Sequence, residues 1–222
     1  MVRIFISHAS CDRSTASAIK LYLGSCGQEA FVAHDDIQVA IPWKEEIKRY
    51  LRECDAMVVL VTQASMESYW VHQEIGSAMI RGIPIIPIKN GTDPLGFLGD
   101  YQAAPLKKKF GGSLDYDDCT KKIVYTLLRD ESCSRGVRED LIKRVRNCKS
   151  YDGAALLFTI IADVPTTDYW APGEVEEMLK DGLSNDQVSH SGRARRPIWR
   201  LINNNRESLS PELIQQWERF CG

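Results

Sequence analysis

The sequence predicts an α/β fold built on a parallel sheet, followed by a small all-α C-terminal domain. Three observations predict it. Short β-type runs alternate with helical periodicity from Val2 to Leu128. Ala56 to Thr62 (AMVVLVT) is an unbroken β-branched and apolar run of the kind that suits a strand covered on both faces. From Val137 onward only helical patterns occur. The order β-α-β-α-β-α-β implies parallel pairing with right-handed crossovers.

Val2 to Ile6 is the first strand, and the polar stretch Ser7 to Arg13 is the loop after it. Ala16, Ile19 and Leu23 recur at helical spacing, and Gly24 or Gly27 stops that helix. Ala30 to Ala33 is the second strand, and His34 to Pro42 the next loop. Trp43, Ile47, Tyr50 and Leu51 fit an amphipathic helix with Glu45 and Glu46 in its first turn, where the helix dipole favours anions. After the buried run at 56–62, Val71, Ile75, Ala78 and Met79 mark a helix that Gly82 ends. Ile83 to Ile88 (IPIIPI) is the fourth strand, and its two prolines suggest a place near the sheet edge or irregular pairing. Asn90 to Gly112 reads as a long loop, with a fifth strand expected near Phe110 to Leu114. Residues 117–128 are helical.

Beyond Asp130 the helical candidates are 137–147, 151–163, 173–182, 184–189, 194–204 and 210–220, with breakers at Asp-Val-Pro 163–165 and Ala-Pro-Gly 171–173. The expected organisation is an α/β domain over 1–130 and a helical domain over 131–222.

Lys and Arg number 28 against 30 Asp and Glu, a formal charge of −2. This balance gives no electrostatic reason to expect nucleic acid or an anionic membrane as partner. The seven cysteines form no C-x-x-C pair, which argues against a zinc site or disulfide framework and fits a reducing, cytoplasmic setting. The apolar run at Met1 to Ser7 is too short for a signal peptide, and no stretch approaches the ~20 apolar residues of a membrane helix. No metal-ligand pair is found among the histidines, and no phosphate-binding G-x-x-x-x-G-K-[ST] occurs. Lys107-Lys108-Lys109 and the cluster Arg193, Arg195, Arg196 and Arg200 read as solvated faces.

Three segments carry a resemblance. They are Ile4-Phe5-Ile6-Ser7-His8-Ala9-Ser10, then Ala30-Phe31-Val32-Ala33-His34-Asp35-Asp36-Ile37 with Trp43-Lys44-Glu45-Glu46-Ile47, and Ser68-Tyr69-Trp70-Val71-His72-Gln73-Glu74-Ile75-Gly76-Ser77-Ala78. In order and spacing they resemble bacterial TIR (Toll/interleukin-1 receptor) domains, including those that hydrolyse NAD, over about half the chain. The C-terminal half resembles no family.

The resemblance implies a flavodoxin-like, five-stranded parallel sheet. It also implies cleavage of the nicotinamide–ribose bond of NAD+, giving nicotinamide and ADP-ribose or a cyclic isomer, with a role in antiphage defence. Glu74 stands at the family's catalytic position. Ser7, His8, Ala9, Ser10, Asp35, Trp43 and Trp70 stand at positions implied to bind NAD+. No cofactor is expected, since NAD+ would be the substrate. Partners implied are further copies, through the TIR domain, and an effector or sensor protein, through the C-terminal region.

The residues carry competing readings of their own. Trp70 and Glu74 are i and i+4 and share one helix face, so they form either a site or a core anchor beside a solvated carboxylate. Ser10 or Asp12 serves as a helix N-cap or as a ligand contact. Asp35 is a turn residue or a nucleotide contact, and Trp43 lines the pocket or packs. His34 and His72 read as loop and surface residues. As a whole the chain is alternatively a non-catalytic scaffold that assembles with its own kind. A nucleoside deoxyribosyltransferase would share the sheet, but the Trp70–Ala78 segment fits TIR better. A phosphoacceptor receiver would need acidic residues where Ser7-His8 and Thr62 stand.

Overall fold

The structure, a computed structural model, describes residues 1–32, 43–164, 170, 171 and 173–221. The chain divides into two units, Met1–Gly24 with Gln28–Cys133 and Ser25–Gly27 with Ser134–Gly222.

The first unit carries a five-stranded parallel sheet: β1 (Arg3–Ser7), β2 (Glu29–Phe31), β3 (Ala56–Val61), β4 (Ile85–Lys89) and β5 (Ala104–Pro105). The order is β2-β1-β3-β4-β5. This 2-1-3-4-5 arrangement is flavodoxin-like. The helices are α1 (Arg13–Ser25), α2 (Trp43–Glu53), α3 (Gln63–Met66), α4 (Tyr69–Arg81) and α5 (Tyr116–Arg129).

Strand alternation sorts the buried residues into two layers. Phe5, Met57, Val59, Val61 and Ile85 form one core cluster with Phe31 and with Ile47 and Leu51 of α2, Met66 of α3, and Val71, Ile75 and Ala78 of α4. The alternate residues Ile4, Ile6, Val58, Leu60, Ile86 and Ile88 are also buried, which requires helices on the second face as well. The stripes Ala16, Ile19 and Leu23 of α1 and Ile123, Val124 and Leu127 of α5, all fully buried, match that need.

The helix that matters most is α4. Ser68 caps its start by accepting the Val71 N–H at 3.4 Å, and Gly82 ends it in the left-handed region at φ 66°. Its buried residues are Val71, Glu74, Ile75 and Ala78. These are i, i+3, i+4 and i+7, so Glu74 lies within the apolar stripe rather than opposite it.

One sequence expectation is corrected. The fifth strand is Ala104–Pro105, not Phe110 to Leu114; it pairs Ile88 with Ala104 and Lys89 with Pro105. Gly111 and Gly112 both take positive φ, and Phe110 is fully exposed, so that stretch turns instead of extending. The proline-containing β4 lies near the sheet edge, between β3 and the two-residue edge strand β5. Pro87 is tolerated there since β5 covers only Ile88 and Lys89, leaving no ladder bond for a Pro87 N–H to make. The short helix α3 lies in a stretch to which the apolar periodicity assigned no element. A Thr62–Ser65 capping box specifies it.

The second unit is helical: α6 (Ser134–Arg146), α7 (Tyr151–Asp163), α8 (Glu174–Leu183), α9 (Asp186–Ser189), α10 (Arg195–Asn204) and α11 (Pro211–Cys221). Its core centres on Trp217 and Phe158, both fully buried. The Trp217 indole donates to the Leu179 carbonyl at 3.2 Å. Gly182 sits in a tight place: a Cβ there would meet Val188 Cγ1 at 3.1 Å and Trp217 Cζ2 at 3.2 Å, so those side chains would have to give way. Asn185 ties three segments together. Its Nδ2 donates to the carbonyls of Arg146 at 3.0 Å and Cys148 at 3.1 Å, while its Oδ1 caps α9 by accepting the Gln187 N–H at 2.9 Å.

Candidate active site

Ser7 is the last residue of β1 and pairs with Val59 of β3. Alternation puts its side chain on the face of Phe5, the α4 side. There Ser7 Oγ donates to Glu74 Oε2 at 2.5 Å, both residues being buried. Among the described residues the other carboxylate oxygen makes no hydrogen bond, and it is not one of the fully covered polar atoms. One oxygen of Glu74 is therefore held by Ser7, and the other makes no such contact among the described residues.

Burial penalises the charged form and pushes the Glu74 carboxyl up to about 7, while the Ser7 hydroxyl, which stabilises the anion, opposes part of that rise. A carboxylate that titrates near neutrality beside the carboxyl ends of parallel strands is where this topology places ligands. Trp70 lies one turn before Glu74 on α4 and keeps 47% of its surface exposed. The ammonium of Lys44, on α2, stands over the Trp70 ring, 5.6 Å from its centroid.

The loop after β1 is held in place. Ala9 is buried and caps a 3-10 turn, Ser10–Asp12, without a side-chain capping bond. Asp12 does not cap that turn: its Oδ2 accepts the Thr62 hydroxyl at 2.6 Å, joining the loop after β1 to the end of β3. Ser10 is exposed on the same turn. His8 is half-buried, with Nδ1 3.0 Å from the Ile6 carbonyl. A carbonyl only accepts, so Nδ1 carries the proton in this contact. His72 is not a plain surface residue, because its Nε2 lies 2.8 Å from the Met66 carbonyl. Trp43 opens α2, and its side chain, like Asp35 and His34, lies outside the described residues.

The structure thus brings Ser7, Glu74 and Trp70 to one end of the sheet, with His8, Ala9 and Ser10 in the adjoining loop. The sequence reading missed Lys44 as a neighbour of Trp70. Its one signal is a cation in the first turn of a helix, where anions are favoured.

Members of both basic runs form ion pairs with nearby carboxylates. Lys109 contacts Asp117 at 2.6 Å, Arg193 contacts Asp152 at 2.8 Å, and Arg200 contacts Asp163. Among the described residues no group of three or more His, Cys, Asp or Glu is placed to hold a metal. The six described cysteines are free thiols, five of them buried. No described helix is long and apolar enough to cross a membrane.

These features define an α/β domain of flavodoxin-like topology with a buried carboxylate beside the carboxyl ends of its strands. The family model for the TIR domain matches residues 4–124. That is more than half of the chain, which therefore belongs to the TIR-domain family. Among solved structures it is similar to the TIR domain of the Toll-related receptor TRR-2 of the lower metazoan Hydra magnipapillata, at 16% identity over 46% of this chain and 82% of that chain, with a TM-score of 0.41. No curated protein matches the chain.

Proposed function

We propose that this chain cleaves the bond between nicotinamide and ribose in NAD+. The observation that carries the reading is the Glu74 carboxylate: buried, held by Ser7 through one oxygen, and one helical turn from a half-exposed Trp70. The TIR family includes NAD-cleaving members.

Nicotinamide in NAD+ is already a cationic leaving group and departs without a proton, so no general acid is needed. Positive charge builds on the ribose as the bond breaks. The unanchored oxygen of Glu74 stabilises that charge and accepts from the ribose hydroxyls. Trp70 supplies a ring on which the nicotinamide stacks. Ser7, buried and committed to Oε2, serves the carboxylate and not the ligand directly. The His8–Ser10 loop, which follows β1 and opens a helical segment, offers backbone N–H groups to the pyrophosphate. Water then attacks to give ADP-ribose, or an adenine nitrogen attacks to give a cyclic product. By resemblance, the cellular role is NAD+ depletion or nucleotide signalling in antiphage defence, with the helical unit receiving an effector or sensor.

The test is incubation of concentrated protein with NAD+, separation of products by HPLC and mass spectrometry, and the same assay on Glu74→Ala. Nicotinamide release that disappears in the variant is expected. No release at any concentration overturns the reading.

Self-association is common among TIR domains, and exposed Leu95, Phe97, Tyr69 and Ile80 favour it as a second role here. Light scattering over a concentration series tests it, and a monomer throughout overturns it.

A further inference from the structure

Lys44 is the second residue of α2, where the free N–H groups of a helix favour anions. Glu45 and Glu46 beside it obey that rule. Lys44 breaks it and instead sets its ammonium over the Trp70 ring at 5.6 Å, within cation–π range. Glu74 follows Trp70 by one turn of α4. A positive charge therefore stands at the ring, and a carboxylate stands one turn further along.

We infer that Lys44 drives departure of the leaving group: its ammonium at Trp70 destabilises the cationic nicotinamide ring of bound NAD+ and favours its loss as a neutral base. This inference rests on the NAD-cleaving reading and concerns how the same site works. As the C–N bond breaks, its electron pair goes to the ring nitrogen, and the pyridinium becomes neutral nicotinamide. The positive charge passes to the ribose, beside Glu74. A water oxygen then bonds to the anomeric carbon, and its proton goes to solvent. Lys44 opposes the charge that disappears, and Glu74 favours the charge that forms. An interaction that is repulsive in the bound reactant and relieved in the transition state raises KM and kcat together. Lys44 acts across the Trp70 ring and is a positioning residue for charge.

The test uses Lys44→Met, which keeps the chain length and removes the charge, and Lys44→Arg, which keeps the charge. Lys44→Met is expected to lower both KM and kcat by about two- to fivefold, the size of the repulsion between two like charges several ångströms apart in water-like surroundings, leaving kcat/KM nearly unchanged. Lys44→Arg is expected to behave as the unaltered protein. Unchanged KM and kcat in Lys44→Met, or an Arg variant that matches Met, overturns the inference.

A second arm needs no turnover. Quenching of Trp70 fluorescence by cationic 1-methylnicotinamide and by neutral nicotinamide is compared, with Trp70→Phe as blank. Lys44→Met is expected to strengthen quenching by the cation by about two- to fivefold and to leave the neutral base unchanged. Equal behaviour of the two ligands overturns the inference even if the chain proves not to cleave NAD+. Absent nicotinamide release overturns the NAD-cleaving reading and with it the part of Lys44 in bond cleavage, whereas unequal quenching by the two ligands still shows its charge acting at Trp70.

Discussion

Ser7 and Glu74, 67 residues apart in sequence, meet at 2.5 Å between the end of β1 and the buried face of α4. The serine hydroxyl has a single proton, and it is given to the carboxylate. Such a bond to an ionised acceptor is stronger than one between neutral groups. It fixes one oxygen and stabilises the charged form that burial alone would suppress.

The pH dependence of activity follows from this pair. On the NAD+-cleaving reading Glu74 must be ionised to stabilise charge on the ribose, and its carboxyl is pushed up to about 7. kcat/KM for NAD+ is expected to rise with pH and level off above about 7. Ser7→Ala removes the donor and moves that limb to higher pH, while Ser7→Thr keeps it in place. Initial rates from pH 5 to 9 check this. A limb that stays put in Ser7→Ala breaks the link between the two residues.

Stability runs the other way. The unfolded chain releases the Glu74 proton near 4.5, and the folded chain holds it to about 7. Stability is therefore highest below pH 4.5 as far as this group is concerned. It falls as pH rises through the interval and is level above it, a loss of about 3 kcal/mol at most. Glu74→Gln removes this dependence. Urea denaturation of both proteins at pH 5 and pH 8 measures it, and equal slopes against pH would show that Glu74 makes no contribution.

Trp70 separates a ligand role from a packing role. Half of its surface is exposed, so Trp70→Ala is expected to cost about 1 kcal/mol or less in stability. The same change lowers kcat/KM by about tenfold through the lost stacking surface. Trp70→Phe recovers most of it. If Trp70→Ala lowers only the melting temperature, the ring is structural.

In the helical unit, Asn185 is the position to test. Asn185→Asp keeps the cap on Gln187 but sets a charge against the carbonyls of Arg146 and Cys148. Asn185→Ala loses the cap as well. Costs of about 2 kcal/mol or more are expected for both, by thermal or urea unfolding. An aspartate variant as stable as the original would show that the two amide donations contribute little.

Much of this was legible in the sequence because period and punctuation agreed. The run at Ala56 to Thr62 became the fully buried β3, Gly82 ended α4, and the spacing of Val71, Ile75 and Ala78 already placed Glu74 beside the apolar stripe. β5 was not legible, because a two-residue strand ending in Pro105 has no alternation to read. The partner of Ser7 was not legible either, since it depends on strand parity and on which helix covers that face. The meeting of Lys44 with Trp70 joins two helices, and periodicity within one helix says nothing of its neighbour.

Trp70 and Glu74 ride on one unbroken helix, four residues apart, hence separated by about 6 Å along its axis. The helix acts as a ruler. On the proposed reading, the gap between Trp70 as the surface for a planar base and Glu74 as the carboxylate for the sugar is set by backbone pitch alone. Substitutions in the loops around the sheet can therefore change which adenine half is admitted and which product leaves, while the gauge that measures one base-to-sugar bond stays constant.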